Sequence, residues 1–397
     1  MPKYARLNER TGGEGTEAWQ ILFRAWQDKL AGKKPIIMAV GDPDFNTPQP
    51  IIEAAKRALD EGHTHYAQIP GIPELREAVA REMMRVSGFS ESEYSLKPEN
   101  IMVMQGTQNA IFSASMVILE EGDEVIVLDP CYITYDAVWS INGASIVRVA
   151  MPRESGFRPQ AEAIAAAVTD RTKAIVMTNP NNPTGVVMTR EEVEAIAAIA
   201  RKHDLWVISD EVYATQTFGA PHVSIAGLPG MKERTITCGS LSKAQAMTGW
   251  RIGWLSGPEE FIANCEKLAI AMHYGVAPFI QKAAIEALGN SLSEIGRMLE
   301  LYRNRCNVVL EHLSNTPGLT VIEPEGAMYV LVDVTGTGLT SGEFSRKLYD
   351  AEEVAVLDAK PFGEPANGCI RIAFTISEQE LAEGCERIRR FAMSLAA

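Results

Sequence analysis

Lys243 is the side chain of this 397-residue sequence best suited to act as a nucleophile. It stands in GSLSKAQAMTGWR (239–251), with no acidic residue within seven positions on either side. Lysines are ordinarily charged surface groups. Among small uncharged neighbours, a partly desolvated amine has a lowered pKa and attacks carbonyl carbon. Arg251 and the hydroxyl of Ser240 are then free to hold an anion such as a phosphate. Asp210 closes the apolar run LWVIS, and a carboxylate there needs a partner. That partner is either a protonated ring nitrogen or the N–H groups of the following turn. In QGTQNA (105–110) a glycine precedes a helix start, so free N–H groups at the positive end of a dipole suit a phosphate; an ordinary N-cap at Thr107 is the competing reading. NPNNPTG (179–185) carries two X-Pro steps and a closing glycine, a rigid turn that either fixes Asn182 for function or is purely structural. Tyr132 in DPCY and Tyr213 in SDEVY add an aromatic face and a phenol. Phosphate cradle, aromatic face, amide, carboxylate, phenol and amine together suit one ring-shaped anionic cofactor. The run Ser240-Leu241-Ser242-Lys243 also fits the S-x-x-K pattern of serine nucleophiles. That chemistry needs S-D-N and K-T-G elsewhere, and the chain has SDE and MTG.

These residues need a scaffold that brings them together. From about residue 100, short β-type runs alternate with helical stretches: IMVM (101–104), EVIVLD (124–129), SIVRVAM (145–151), KAIVMTNP (173–180), LWVISD (205–210), RTITCGS (234–240) and RIGWLSG (251–257). Strands alternating with helices predict a largely parallel sheet covered on both faces. Ligands of such sheets bind beyond the carboxyl ends of the strands, where the chemical residues fall. TREEVEAIAAIARKHD (189–204) predicts an amphipathic helix, with Thr189 as N-cap and Glu192 three residues on. After about residue 290 a long helical stretch leads to AMYVLVDV (327–334) and CIRIAFT (369–375), a smaller α+β unit. The expected division is a large domain over 46–290 and a small domain from 1–45 with 291–397.

Composition narrows the function classes. With 51 acidic against 37 basic residues, the formal charge is −14, which gives nucleic acid or anionic lipid no electrostatic hold. No run is long and apolar enough to span a membrane, and MPKYARLNERTGGEG has no signal-peptide core. Cys131, Cys238, Cys265, Cys306, Cys369 and Cys385 form no C-x-x-C pair, so they read as buried reduced thiols of a cytoplasmic protein, with no metal site.

SLSKAQAMTGWRIG, NPNNPTG, SDEVY, GDPDFNTP and THYAQIPGIPELREA, five motifs whose match runs in order and at proper spacing over nearly the whole chain, resemble the class I/II aminotransferases, pyridoxal-phosphate enzymes of fold type I. The resemblance implies an α/β fold with a large cofactor domain and a smaller α+β domain. It implies that Lys243 forms a Schiff base with pyridoxal 5′-phosphate and that Asp210 pairs with the pyridine nitrogen. Tyr213 and Asn182 would bond the ring hydroxyl, and Tyr132 would stack on the ring. Gly106, Thr107, Gln108, Ser240 and Arg251 would form the phosphate cup. Tyr66 would be lent by a partner subunit, which implies a homodimer with shared sites. Arg371, in CIRIAF, and Gly41, in VGDPDF, would hold the substrate α-carboxylate. Lys243, once freed, would move a proton between the substrate Cα and the cofactor, giving a ping-pong transfer of the amino group to a 2-oxo acid.

Aspartate-specific relatives carry a GGKQ pattern where this chain has Gln108, and a Ser-x-Thr where it has GEGTEAW (13–19). GEGTEAW, HVSIAGLPGM and SKAQAMTGWR resemble the arginine–pyruvate transaminase branch. The expected donor is therefore a neutral or basic L-amino acid, with pyruvate as acceptor. Glu14 and Glu17 either pair with a guanidinium or lie on the surface. The alternatives are an aspartate or aromatic aminotransferase using 2-oxoglutarate, a β-lyase or decarboxylase on the same scaffold, or a regulator domain, which would need an added basic DNA-binding segment.

Overall fold

The computed structural model describes residues 3–10, 19–290 and 292–395. Glu14 and Glu17 lie outside the described residues. Thirteen strands occur among the described residues: β1 (Ile36–Ile37), β2 (Ile101–Met104), β3 (Glu124–Asp129), β4 (Ser145–Ala150), β5 (Thr172–Thr178), β6 (Trp206–Asp210), β7 (Thr235–Ser240), β8 (Gly253–Ser256), β9 (Thr320–Ile322), β10 (Tyr329–Asp333), β11 (Val354–Ala355), β12 (Leu357–Asp358) and β13 (Cys369–Ala373).

Seven of them form one sheet in the order β2-β8-β7-β6-β5-β3-β4. All pairs are parallel except the two that β8 makes, antiparallel to β7 and to β2. The middles of the central strands are apolar and buried because helices cover both faces. Successive side chains point to opposite faces. Thus Ile126, Leu128, Ile175 and Met177 enter one core, while Val125, Val127, Ala174 and Val176 enter the other. The largely parallel, two-faced sheet is the fold class that the alternating pattern predicts.

The helix Arg190–Lys202 starts as its sequence requires. Thr189 accepts a hydrogen bond from the Glu192 N–H, and the Glu192 carboxylate reaches back to the Thr189 N–H at 2.7 Å. The six cysteines are all buried and unbridged.

A second sheet, β12-β13-β10-β9, is antiparallel. The helices Leu292–Leu313 and Glu378–Leu395 pack with each other, and their apolar side chains share one cluster with β10 and β13. Near the N-terminus, β1 pairs in parallel with β11, and the helix Gln20–Leu30 packs beside β11 and the helix Ser341–Glu352. No helix among the described residues is long and apolar enough to cross a membrane.

Candidate active site

The carboxyl ends of β2, β3, β5, β6 and β7 lie along one edge of the large sheet. There the chain opens a cleft of about 500 Å³. Gly41, Thr107, Gln108, Tyr132, Asn182, Asp210, Tyr213, Ser240, Lys243, Arg251 and Arg371 all line it. Residues from the first fifty positions, the large sheet and β13 therefore meet in one place.

Lys243 follows β7 by three residues. Its Nζ donates to the Gly41 carbonyl oxygen at 2.6 Å. A side chain on Gly41 would run into the Tyr329 hydroxyl, so this backbone can approach only as glycine.

Asp210 ends β6 and is 7% exposed. Tyr135 donates to its Oδ2 at 2.7 Å, and the Val212 N–H donates to its Oδ1 at 3.1 Å. The carboxylate thus caps the following turn and faces the cleft at once; the two sequence readings are compatible. Burial raises its pKa to about 6, against the lowering pull of the Tyr135 and Val212 hydrogen bonds.

The phosphate-type loop differs from an ordinary cap. Its helix, Thr107–Ile118, starts after Gly106, which is the N-cap with φ +86° and no side-chain cap bond. Thr107 is therefore the first helical residue, not the N-cap, and its buried Oγ1 has no hydrogen-bond partner. Open N–H groups, an unpartnered hydroxyl and a nearby guanidinium make a site for an oxyanion. The guanidinium is Arg251, whose backbone is left-handed at φ +53°. Its Nη1 donates to the Thr248 carbonyl at 2.8 Å, and a Cβ on Gly106 would lie 2.7 Å from its Nη2. Ser240 Oγ accepts from the Ser242 N–H at 3.3 Å, and Gln108 Oε1 accepts from the Thr134 hydroxyl at 3.0 Å.

Arg371, in β13, is 1% exposed. Its Nη1 donates to Asn182 Oδ1 at 3.0 Å and its Nη2 to the Ala39 carbonyl at 2.9 Å. The guanidinium is sandwiched between the rings of Tyr329 (4.2 Å) and Phe362 (4.7 Å), and its Nε is buried without a partner. Asn182 is fixed because the 179–185 turn closes on itself: Asn181 Oδ1 accepts from the Thr184 N–H and hydroxyl, at 3.2 and 2.8 Å.

Tyr213 is buried, and its hydroxyl meets that of Tyr329 at 3.0 Å. Burial is the chief cause of a phenol pKa well above the ordinary value. Tyr66 does not line this cleft; it is 88% exposed and packs on Tyr274 at 5.7 Å between ring centres.

Sequence reasoning missed several neighbours. Tyr135 lies three residues after Tyr132, across the turn closed by its N–H on the Tyr132 carbonyl at 3.0 Å, a spacing that could have suggested it. Tyr329 could have been sought in AMYVLVDV, the strand beside that of Arg371. Trp19, Trp26 and Asp42 also line the cleft, with no local signal that marks them. Among the described residues no group of three or more His, Cys, Asp or Glu is placed to hold a metal ion.

A buried acid, an amine, an oxyanion loop and a buried guanidinium around one cleft are the parts of an amino-group transfer site. The family model for aminotransferase class I and II matches residues 33–388. The chain belongs to this family. It is a pyridoxal-phosphate-dependent aminotransferase. It is 43% identical to an arginine–pyruvate transaminase of Pseudomonas aeruginosa over 393 residues, covering 99% of each chain. It is 36% identical to an aspartate aminotransferase of Bacillus subtilis over 378 residues, covering 94% of each. Among solved structures, the aspartate aminotransferase of Thermus thermophilus with maleate superposes with a TM-score of 0.92 at 36% identity, covering 98% of this chain and all of that one. The large mostly parallel sheet and helices of this aminotransferase are those of fold type I.

Proposed function

We propose that the chain moves the amino group of a basic or neutral L-amino acid to pyruvate, with Lys243, Asp210 and Arg371 as its central residues. The observation that carries this reading is the convergence of those three side chains on one cleft beside an open helix N-terminus. The residues fit pyridoxal phosphate. The unpartnered Thr107 hydroxyl, the N–H groups after Gly106, Ser240 and Arg251 would take the phosphate. Asp210 would keep the ring nitrogen protonated, Tyr132 would cover the ring, and Tyr213 with Asn182 would bond its hydroxyl.

When bound, the cofactor supplies an electron sink for the bonds at the substrate Cα. Lys243 would hold the cofactor through Nζ, and its amine, when free, is placed in the cleft to take up and give back the proton of the substrate Cα. Arg371 clamps the α-carboxylate, so the Cα–H bond is presented in one orientation. The Gly41 carbonyl, which accepts from Lys243 in this structure, keeps the amine within the cleft. Tyr132, Tyr329, Trp19 and Trp26 give the cleft an aromatic wall.

The donor class rests on what the cleft offers beyond these roles. Among the described residues its lining cations are Lys243, Arg251 and Arg371, each already assigned a role here, so none of these is left for a second carboxylate. Asp42, Trp19 and Trp26 remain, an acid and two indoles that suit a cationic side chain. Similarity to the arginine–pyruvate transaminase supports the same choice.

Exposed Tyr66 and Tyr274, outside their own cleft, support a homodimer in which Tyr66 reaches the partner's site. The pairing of β1 with β11 supports a small domain of 1–45 with 291–397 beside a large domain of 46–290. The acidic charge and the six unbridged thiols support a cytoplasmic location. The test is an absorbance spectrum of the purified protein followed by a donor and acceptor panel. A yellow protein bleached by arginine and restored by pyruvate is expected. Faster turnover with aspartate and 2-oxoglutarate would refute the substrate assignment.

A further inference from the structure

Tyr135 has no role in the reading above, yet it makes the shortest hydrogen bond to Asp210. The phenol is fully buried, in the short helix Tyr135–Ser140 after β3. It has one hydrogen, and that hydrogen goes to Asp210 Oδ2 at 2.7 Å. The Thr178 hydroxyl, at the end of β5, lies 3.1 Å from the same phenol oxygen. Since the phenol hydrogen is committed to Asp210, Thr178 must be the donor in that contact. A directed chain therefore runs from Thr178 through Tyr135 to Asp210.

The chain has a second end. The Tyr135 ring meets Tyr132 edge-on, with ring centres 6.0 Å apart and planes at 89°. Tyr135 thus touches both the acid and the aromatic wall of the cleft. On its other side it packs against Trp139 at 5.7 Å. The phenol is held between the rings of Tyr132 and Trp139.

We propose that Tyr135 is a positioning residue for this enzyme: its phenol, polarised by Thr178, fixes the orientation of the Asp210 carboxylate and restrains its basicity toward the cofactor ring nitrogen. The proposal rests on the reading of Asp210 as the partner of that nitrogen. Asp210 Oδ1 is held by the Val212 N–H and Oδ2 by Tyr135, so the carboxylate plane is fixed from two sides. The other titratable groups around Asp210 are Glu211, Cys238, Tyr132 and Lys243. Glu211 is turned to its own partners, accepting from Ser209 and Ser224 at 2.9 and 2.8 Å and meeting His222 at 3.1 Å. Cys238 is a buried thiol that burial keeps well above its usual pKa. Tyr135 is therefore the neutral side-chain donor that addresses Asp210 directly.

The chemistry gives a direction. Without the phenol hydrogen, Asp210 becomes a stronger base and draws the shared proton off the ring nitrogen. The ring then withdraws less charge from the lysine-linked nitrogen, which titrates at higher pH.

The experiment uses full-length protein loaded with pyridoxal phosphate, and the variants Y135F and T178V. Y135F keeps the ring and its packing. Its pH midpoint for the visible absorption change is expected to rise by about one unit, the size of a lost hydrogen bond to a charge. Affinity of the apo-protein for pyridoxal phosphate is expected to weaken about threefold to tenfold, and kcat to fall more than KM changes. T178V is expected to move the midpoint the same way by less, and to add nothing in the Y135F background, because Thr178 acts through Tyr135. A Y135F midpoint equal to that of the wild type overturns the proposal. A T178V shift that persists undiminished in Y135F overturns the chain from Thr178. A wild-type protein that does not turn yellow with pyridoxal phosphate overturns the reading of the site itself, an outcome distinct from either.

Discussion

Lys243 Nζ donates a 2.6 Å hydrogen bond to the carbonyl oxygen of Gly41, a residue 202 positions earlier in the chain. The amine proposed as nucleophile and the backbone expected beside the substrate carboxylate are thereby in direct contact. If Lys243 is the cofactor-bearing nucleophile, Lys243→Ala keeps the fold and loses both colour and transamination, roughly a thousandfold or more in kcat/KM. The measurement is a visible spectrum of the reconstituted variant with a steady-state assay. Retained colour and turnover would remove the basis of the proposed mechanism.

Asp210 links stability to pH. Burial raises its carboxyl from 3.8 to about 6. A carboxyl whose pKa is raised by folding stabilises the folded state fully below its unfolded pKa, and that contribution is lost as pH rises through the folded value. For cofactor-free protein, the stability of wild type relative to Asp210→Asn should decline by on the order of 2–3 kcal/mol from about pH 4 to about pH 7. Denaturant melts of both proteins across that range give the difference. A difference that stays flat or grows with pH contradicts the assignment.

Arg371 is held by Asn182, by Ala39 and by two aromatic rings, so its fork points in one direction. Lysine retains the charge but not the paired donors. Arg371→Lys should lower kcat/KM for the donor by about 10–100-fold, mostly through KM, and leave pyridoxal phosphate affinity close to wild type. A KM unchanged by the substitution would move the carboxylate contact elsewhere.

Gly106 carries φ +86°, and an added Cβ would lie 2.7 Å from Arg251 Nη2. Gly106→Ala should cost about 1 kcal/mol of stability through its backbone alone and weaken phosphate-end binding about tenfold by displacing the guanidinium. Titration of the apo variant with pyridoxal phosphate measures the second effect. Wild-type affinity would show that Arg251 does not serve this loop.

Thr189 is remote from the cleft and tests the fold alone. Thr189→Ala removes the reciprocal cap of the helix Arg190–Lys202 and should cost about 1 kcal/mol with no change in kcat/KM. Chemical denaturation paired with the same assay separates the two. A loss of activity at full stability would tie this helix to the site in a way the structure gives no reason for.

The sequence alone determined the local features. A run such as EVIVLD, with four successive apolar residues in its middle and too short for a helix, reads as a strand covered on both faces, and Thr189 with Glu192 marks a helix start through contacts only three residues apart. Several chemical residues were visible for a similar reason: Gly106, Thr107, Tyr132, Asn182 and Lys243 stand within a few residues past β2, β3, β5 and β7, where the chain must turn. Tertiary structure decided the remainder. The sequence could not show that β8 runs against its neighbours, and that reversal is what brings Arg251, which precedes β8, to the same sheet edge as the ends of β2 and β7. Nor could it pair Tyr135 with Asp210, 75 positions apart, or close Tyr329 over Arg371, because side chains on different strands meet only once register and twist are fixed. Thr107 shows the boundary within a single loop. Its type suits an N-cap, but the left-handed Gly106 takes that position and leaves the Thr107 hydroxyl buried and without a protein partner.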